Sequence, residues 1–312
     1  MITILGPTAS GKTALAARLA FELDGEVISA DSRQVYRGMD IGTGKDYSDN
    51  IINGTQVPVH LIDLAAPGYE YNIFEYQCDF LNCYHDLLGR KKLPVLCGGS
   101  GMYLESVLKG YRLAKANTDD AFLTAIQGKP DDQLVEILKS YKTPHNITDF
   151  EDRPRLLKAI MVAHAAKKSD RSGGQSTIQN DVNRDFFFPK IDSDIFGISY
   201  PRALLMNRIS ERLAARLETG MIQEVETLLL NQISPEQLMK YGLEYKFVTL
   251  FLTRIMSYND MFEKLNIAIR QFAKRQMTWF RRMERQGLTI HWIDGQMEMA
   301  DKVKKIRQVV NC

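Results

Sequence analysis

The sequence predicts an α/β fold, a parallel sheet flanked by helices, with a helical insertion domain. Three observations carry this. The first hundred residues alternate short apolar runs with helical periodicity, the rhythm of βαβ units. A glycine-rich phosphate-loop signature sits between the first strand and the first helix. From about residue 113 to 171 strand signals vanish and polar, charge-balanced helical segments replace them.

Ile2 to Leu5 is a short apolar run ending in glycine, and Leu15, Leu19 and Leu23 follow at helical spacing. Val27–Ala30, His60–Leu64 and Pro94–Cys97 are the next strand candidates, with a helix from Phe74 to Leu88. Helices are expected near 119–128, 131–141 and 152–168. A loop follows over Lys167–Ser176, composed of charged, serine and glycine residues. Phe196–Ser199 reads as a strand returning to the sheet. Two long amphipathic helices near 201–231 and 260–286, then a strand at Ile290–Ile293, complete the chain. The core is therefore assigned to 1–112 and 175–312, and the insertion domain to 113–174.

Composition narrows the function. The chain has 312 residues, 45% of them hydrophobic, which is enough to bury a real core and excludes disorder over most of the length. With 40 Lys+Arg against 38 Asp+Glu, the net charge of +2 excludes a polycation but not a local basic face. Four cysteines, Cys78, Cys83, Cys97 and Cys312, form no CxxC pair, so a zinc ribbon or disulfide framework is not expected. No run is long enough to span a bilayer and no secretory pattern opens the chain. The expectation is a soluble, cytoplasmic monomer without membrane association. His60 and His291 lack metal-ligand partners at useful spacing and read as structural.

Gly6-Pro7-Thr8-Ala9-Ser10-Gly11-Lys12-Thr13 fits GxxxxGK[ST]. Backbone N–H groups and a helix N-terminus would wrap an anion, Lys12 would add a charge, and the Thr13 hydroxyl could ligate Mg²⁺. This establishes a di- or triphosphate group and nothing more specific. A small-molecule or nucleotide kinase using ATP would hold Mg²⁺ with a strand-end carboxylate, for which Asp63 and Asp31 are candidates. Asp31 follows the second strand directly, at the edge where α/β sheets bind ligands. It could act as general base, as ligand to a metal-bound water, or simply as the cap of a turn. Arg270, Lys274, Arg275, Arg281, Arg282 and Arg285, interleaved with Phe272, Trp279 and Phe280, make the best phosphate-backbone patch in the chain. Leu265, Ile269 and Phe272 should face the core from the same helix. Arg208 and Arg212, four apart, share a helix face and would repel unless an anion or carboxylate lay between them.

Taken together, these segments resemble the tRNA dimethylallyltransferase (tRNA isopentenyltransferase) family. Ile28–Thr43 follows the phosphate loop as in that family, and Cys97–Leu104 resembles its GGTGLYI turn. Arg208–Leu213 with Gly220–Val225 resembles RIxxRxxxMxxxGLxxEV, and Arg270–Arg281 resembles TRxxAKRQxTWxR. The chain departs from the family pattern near Tyr141–Asn146. The resemblance implies a P-loop NTPase-like fold and transfer of a dimethylallyl group from dimethylallyl diphosphate to the N6 amine of the adenosine 3′-adjacent to a tRNA anticodon. It implies that the phosphate loop (Gly6–Thr13) holds the leaving diphosphate with Mg²⁺ at Thr13. Arg212 would grip that diphosphate, Asp31 would be the base, and Ser100 would stand where the family has threonine. Asp31-Ser32-Arg33-Gln34 would meet the flipped base, and Pro154-Arg155-Leu156-Leu157-Lys158 would contact the anticodon stem-loop.

Overall fold

A computed structural model describes residues 1–111, 113, 120–141, 153–171 and 188–310. The chain divides into two compact units, Met1–Gly110 with Lys190–Cys312, and Tyr111–Pro189.

The first unit begins with β1 (Ile2–Leu5), α1 (Lys12–Glu22) and β2 (Gly25–Ala30). A 3₁₀ turn (Tyr47–Asn50) leads into a small hairpin, β3 (Ile51–Ile52) with β4 (Thr55–Gln56). Next come β5 (Val59–His60), α2 (Ile73–Gly89), β6 (Leu93–Gly98) and α3 (Gly101–Leu108). The insertion unit supplies α4 (Asp120–Gln127), α5 (Asp131–Tyr141) and α6 (Arg153–Arg171). The chain returns as β7 (Asp194–Ser199) and continues through α7 (Arg202–Glu218), α8 (Met221–Leu230), α9 (Pro235–Leu238), α10 (Leu243–Leu252), α11 (Tyr258–Arg285), β8 (Ile290–Asp294) and α12 (Met299–Val310).

The six main strands form a parallel sheet in the order β5-β2-β6-β1-β7-β8. β1 is buried at every residue and β2 at all but its first, as expected of strands covered on both faces. Leu5 and Ala30 both pair with Gly98, so the three chain segments that leave β1, β2 and β6 emerge side by side. Ile4, Leu15, Leu19, Val27, Val95 and Phe196 pack between the sheet and α1. A second cluster holds Leu205, Ile209, Leu213 and Leu217 of α7 against Leu265, Ile269 and Ala273 of α11.

Three sequence expectations need correction. The helix expected over 201–231 is two helices, because Gly220 adopts φ 114° in the left-handed region and caps α8. The strand expected over His60–Leu64 ends at His60, because Leu61 and Asp63 take positive φ (61° and 57°) and leave the ladder. The first residues of the loop expected over Lys167–Ser176 continue α6 to Arg171; the remainder, with the boundary at 174 and the departure after Tyr141, lies outside the described residues. α9, α10, α12 and the β3–β4 hairpin are additional elements. The insertion unit has its own small core, Ile126, Leu134, Leu138, Leu156 and Ile160, and Arg153 pairs with Asp131 in it.

Candidate active site

The phosphate loop connects β1 to α1. Gly11 caps α1 at φ 77°, and Ala9 also lies at positive φ, 61°. Two contacts hold the loop from outside. The Thr8 N–H donates to Gln276 Oε1 at 2.9 Å, and Arg208 Nε donates to the Ala9 carbonyl at 2.9 Å. Gln276 is buried, and its Nε2 donates to the Gly99 carbonyl at 2.8 Å. One side chain of α11 thereby ties the phosphate loop to the glycine turn after β6. Ser10 Oγ is buried in the loop and finds no partner among the described residues. Lys12 Nζ lies 3.5 Å from the Pro7 carbonyl. Desolvation pushes its ammonium below the usual lysine pKa, and Arg212 and Arg216 add to the push.

The arginine row of α7 faces the loop. Arg212 Nη1 donates to Thr8 Oγ1 at 3.3 Å, and Nη2 meets Asp46 Oδ2 at 2.6 Å. Arg216 Nη2 reaches the same carboxylate at 3.4 Å. Burial pushes Asp46 up, but the two guanidiniums outweigh it and its pKa lies below the usual aspartate value. Burial pushes Arg216 down, with Arg212 adding to the effect. The pair that encloses a carboxylate is thus Arg212 with Arg216, not the expected Arg208 with Arg212, because Arg208 is engaged by the Ala9 carbonyl. A cavity of about 10 Å³, room for roughly one water, is lined by the polar Thr8, Arg212, Arg216 and Glu244 and by the apolar Ala9, Ile209, Leu213 and Ile269.

Asp31 stands one residue beyond β2, within electrostatic reach of Lys12. Its Oδ1 accepts the Arg33 N–H at 3.0 Å, the turn cap anticipated from sequence, and Oδ2 makes no hydrogen bond among the described residues. Ser100 Oγ accepts the Ser32 N–H at 2.9 Å and lies 3.3 Å from Ser32 Oγ. Its hydroxyl is therefore directed at the Asp31–Gln34 turn. Gln34 is engaged at both ends, accepting from Ser29 Oγ at 3.0 Å and donating to the Gly44 carbonyl at 3.0 Å. Arg33 is exposed and donates to the Lys240 carbonyl at 3.0 Å. Beneath the turn, Tyr76 donates to the Ser29 carbonyl and stacks on Tyr103 at 3.9 Å. Cys97 lies under the loop, its thiol pushed by burial to about 12 and so not a nucleophile.

The segment after this turn is anchored by a residue to which sequence reasoning gave no role. Glu224 of α8 accepts the backbone N–H groups of Asp40, Ile41 and Gly42 at 2.7–3.0 Å and the Tyr245 hydroxyl at 2.6 Å. Lys45 is buried between Asp40, Asp63 and the Tyr36 carbonyl. Asp63, a candidate magnesium carboxylate in the kinase reading, is thus committed to Lys45 and Tyr47.

The basic helix divides into two populations. Lys274, Arg275, Arg281 and Arg285 are exposed. Arg270 Nη2 donates to Ser210 Oγ at 2.7 Å, joining α11 to α7. Arg282 stacks over Trp279 at 4.0 Å and pairs with the buried Glu105. Phe272, expected in the core, is 39% exposed, because Ala273 and Gln276 occupy the inward positions instead. Leu156, expected at the RNA, is a core residue of the insertion unit at 3% exposure, while Lys158 is exposed; the side chains of Pro154 and Arg155 lie outside the described residues. His60 binds Glu26 at 2.6 Å and His291 packs on Phe196, so both are structural.

Among the described residues no group of three His, Cys, Asp or Glu could hold a metal. A Mg²⁺ ion at the Thr13 hydroxyl would have to take its remaining ligands from water and phosphate oxygens, as Mg²⁺ commonly does.

This architecture is shared with known proteins. An "IPP transferase" family model matches residues 34–283, and an "Isopentenyl transferase" model matches 1–62. The chain belongs to the IPP transferase family. It is 52% identical over 306 residues to "tRNA dimethylallyltransferase 2" of Phocaeicola vulgatus, covering 98% of this chain and 96% of that protein. It is 50% identical to "tRNA dimethylallyltransferase 1" of Parabacteroides distasonis, covering 100% and 97%. The crystal structure of a tRNA delta(2)-isopentenylpyrophosphate transferase from Staphylococcus epidermidis superposes with a TM-score of 0.68 at 27% identity, covering 99% of this chain and 98% of that one. Within this family member, Asp46, Arg216, Gln276 and Glu224 are the site residues that sequence reasoning misses. Arg216 continues the four-residue spacing of Arg208 and Arg212, and Gln276 and Glu224 lie inside the segments that carry the resemblance. Asp46 has no signal.

Proposed function

We propose that the chain is a tRNA dimethylallyltransferase. It transfers the dimethylallyl group of dimethylallyl diphosphate to the N6 amine of the adenosine 3′-adjacent to a tRNA anticodon. The products are N6-isopentenyladenosine and diphosphate. One observation carries the reading. Loop amides, Lys12 and Arg212 gather at the sheet edge, and the Asp31 carboxylate, within electrostatic reach of Lys12, keeps Oδ2 free of hydrogen bonds among the described residues.

The chemistry follows from charge. Breaking the allylic C–O bond moves negative charge onto the leaving diphosphate, so fixed cations and N–H donors there favour the transition state. Lys12, Arg212 and the loop amides of Ala9, Gly11, Lys12 and Thr13 supply them, the Thr8 and Ser10 N–H groups being bonded to Gln276 and Pro7. Mg²⁺ held at Thr13 would neutralise further diphosphate charge. The adenine nitrogen gains a positive charge as its bond to carbon forms, and Asp31 Oδ2 then accepts the N6 proton; the amine becomes acidic only as it is alkylated. Asp31 Oδ1 stays on the Arg33 N–H, fixing the direction in which Oδ2 points. Ser100 holds this turn through Ser32.

An anticodon-loop base is reached by eversion from its stack. Ser32 and Arg33 flank the base acceptor, while Gln34 braces the turn from below. The exposed Lys274, Arg275 and Arg281 suit the RNA backbone, with Lys158 on the insertion unit as a further contact. The committed Asp63 disfavours an ATP-dependent kinase.

The test is incubation of the protein with labelled dimethylallyl diphosphate and unmodified tRNA. Label in tRNA, recovered as N6-isopentenyladenosine, is the expected result. ATP turnover on a small acceptor with no label in tRNA would replace this function with the kinase.

A further inference from the structure

Asp46 sits where the diphosphate chemistry needs positive charge. Its Oδ2 lies 2.6 Å from Arg212 Nη2, and Arg216 Nη2 approaches both oxygens at 3.4–3.5 Å. The other terminal nitrogen of Arg212 is on Thr8 of the phosphate loop. The arginine that faces the loop is therefore already partnered by an anion belonging to the protein. The contact is built in. Gly44, two residues earlier, takes φ 77°, and a Cβ there would collide with Arg216 Nη2 and lie 2.8 Å from Arg212 Nη2. Glycine thus lets this backbone lie directly on the two guanidiniums. Glu224 and Lys45 pin the segment on the other side. Asp46 is also 38% exposed, so solvent or a ligand can take its place.

We infer that Asp46 is an internal competitor for the diphosphate, a positioning residue that holds Arg212 and Arg216 at the loop before substrate arrives and again as product leaves. Substrate diphosphate exchanges with the carboxylate on Arg212 Nη2, and the reverse exchange helps expel the diphosphate product. No bond is made or broken by Asp46. Its negative charge costs diphosphate affinity in both ground states, and it returns that cost as faster release. The inference rests on the proposed transfer reaction and deepens it.

The test uses the full chain and Asp46→Asn, which keeps the shape and removes the charge. Calorimetric titration with inorganic pyrophosphate and Mg²⁺ is the first readout. Tighter binding by about 3–30-fold is expected, the effect of removing one partly solvated like charge close to the ligand. Steady-state kinetics is the second. KM for dimethylallyl diphosphate and kcat should fall together, with stronger inhibition by pyrophosphate, because release becomes slower. Unchanged or weaker pyrophosphate binding in a folded Asp46→Asn protein overturns the inference, the weaker result indicating that Asp46 organises the arginines or a metal ion for binding. Asp46→Glu, which restores the charge, should bring the wild-type pyrophosphate affinity back at least in part; failure to do so also overturns it. If the wild-type protein transfers no dimethylallyl group to tRNA, the proposed function fails, whereas normal wild-type transfer without tighter pyrophosphate binding by Asp46→Asn defeats this inference alone.

Discussion

Replacing Gln276 with alanine should loosen two loops at once. The buried amide accepts from the Thr8 N–H at 2.9 Å and donates to the Gly99 carbonyl at 2.8 Å. Each bond is neutral and contributes about 0.5–1.5 kcal/mol net, but the truncation leaves a backbone donor and a backbone acceptor without partners. An unsatisfied buried group costs about 1–3 kcal/mol, so two of them together imply a loss of ~2–6 kcal/mol if water does not enter. For a domain of this size that lowers Tm by roughly 5–15 °C. Catalysis should suffer beyond stability, because Thr8 is also the contact for Arg212 and the loop amides face the diphosphate. A rise in KM for dimethylallyl diphosphate of about 10-fold corresponds to ~1.4 kcal/mol of lost anion binding. Gln276→Glu separates the two effects. Its carboxylate can still accept from Thr8, yet it faces the Gly99 carbonyl and adds a negative charge beside the cradle. It should cut kcat/KM more than the alanine variant does. Thermal unfolding and steady-state transfer assays measure both. A Gln276→Ala protein with wild-type Tm and wild-type KM would show that Gln276 does not brace the site.

Three further outcomes are expected. Asp31→Ala should reduce turnover by ~10²–10⁴-fold, the usual span of a general base, with tRNA affinity nearly unchanged in a binding assay; full activity would remove Asp31 from that role. Arg275→Ala should weaken tRNA binding and lower the slope of log affinity against log salt by about one unit, and an unchanged slope would place Arg275 off the RNA backbone. The Arg90 hydrogen bond, outweighing burial and helped by His60, draws the Glu26 carboxyl down from 4.5 to about 2. A carboxylate depressed on folding stabilises fully above its unfolded pKa, and that stability disappears as pH falls from about 4.5 to about 2. Denaturation midpoints followed through that window should decline more steeply for wild type than for Glu26→Gln, with up to ~3 kcal/mol at stake; parallel profiles would contradict the assignment.

Part of the site is legible from local chemistry alone. The phosphate loop is readable because glycines, a lysine and a threonine at fixed spacing have few other uses between a strand and a helix. Asp31 is readable because a strand end in a parallel sheet fixes which edge it occupies. The Arg208–Arg212 spacing calls for an anion between those residues, but Arg208 turns to the Ala9 carbonyl and Asp46 instead joins Arg212 to Arg216, one turn further on. Its identity cannot be deduced from the sequence, because 166 positions separate it from Arg212 and only the tertiary fold brings them together. Gln276 is hidden in the same way, being a polar residue on the inward face of an otherwise apolar helix stripe. Phe272 shows the opposite failure. Periodicity allows it inward, but the smaller Ala273 and hydrogen-bonding Gln276 take the positions nearest the loops. The α7–α8 break is visible only as a glycine whose positive φ no pattern announces. Leu156 goes with its neighbours to the RNA when the segment is read as one block, and its side chain instead follows the helical stripe into the insertion core.

The arrangement also explains how a nucleotide-type phosphate loop can serve alkyl transfer. Lys12, Arg212 and the loop amides respond only to negative charge gathering on phosphate oxygens, and that charge gathers alike whether a P–O or a C–O bond breaks. What distinguishes the reactions is the placement of carboxylates. A kinase site sets one to hold Mg²⁺ near the transferred phosphoryl group. Here Asp63 is held by Lys45 and Tyr47, and Asp46 is held by two arginines. The turn after β6 offers Gly99, Ser100 and Gly101 in place of an acid. Glu244 lines the cavity beside Arg212 and Arg216, and Asp31 has its Oδ1 fixed by the turn and its Oδ2 without a hydrogen bond among the described residues. An oriented carboxylate at the sheet edge that also carries the cation cluster matches a nucleophile that loses one proton while the leaving group gains negative charge.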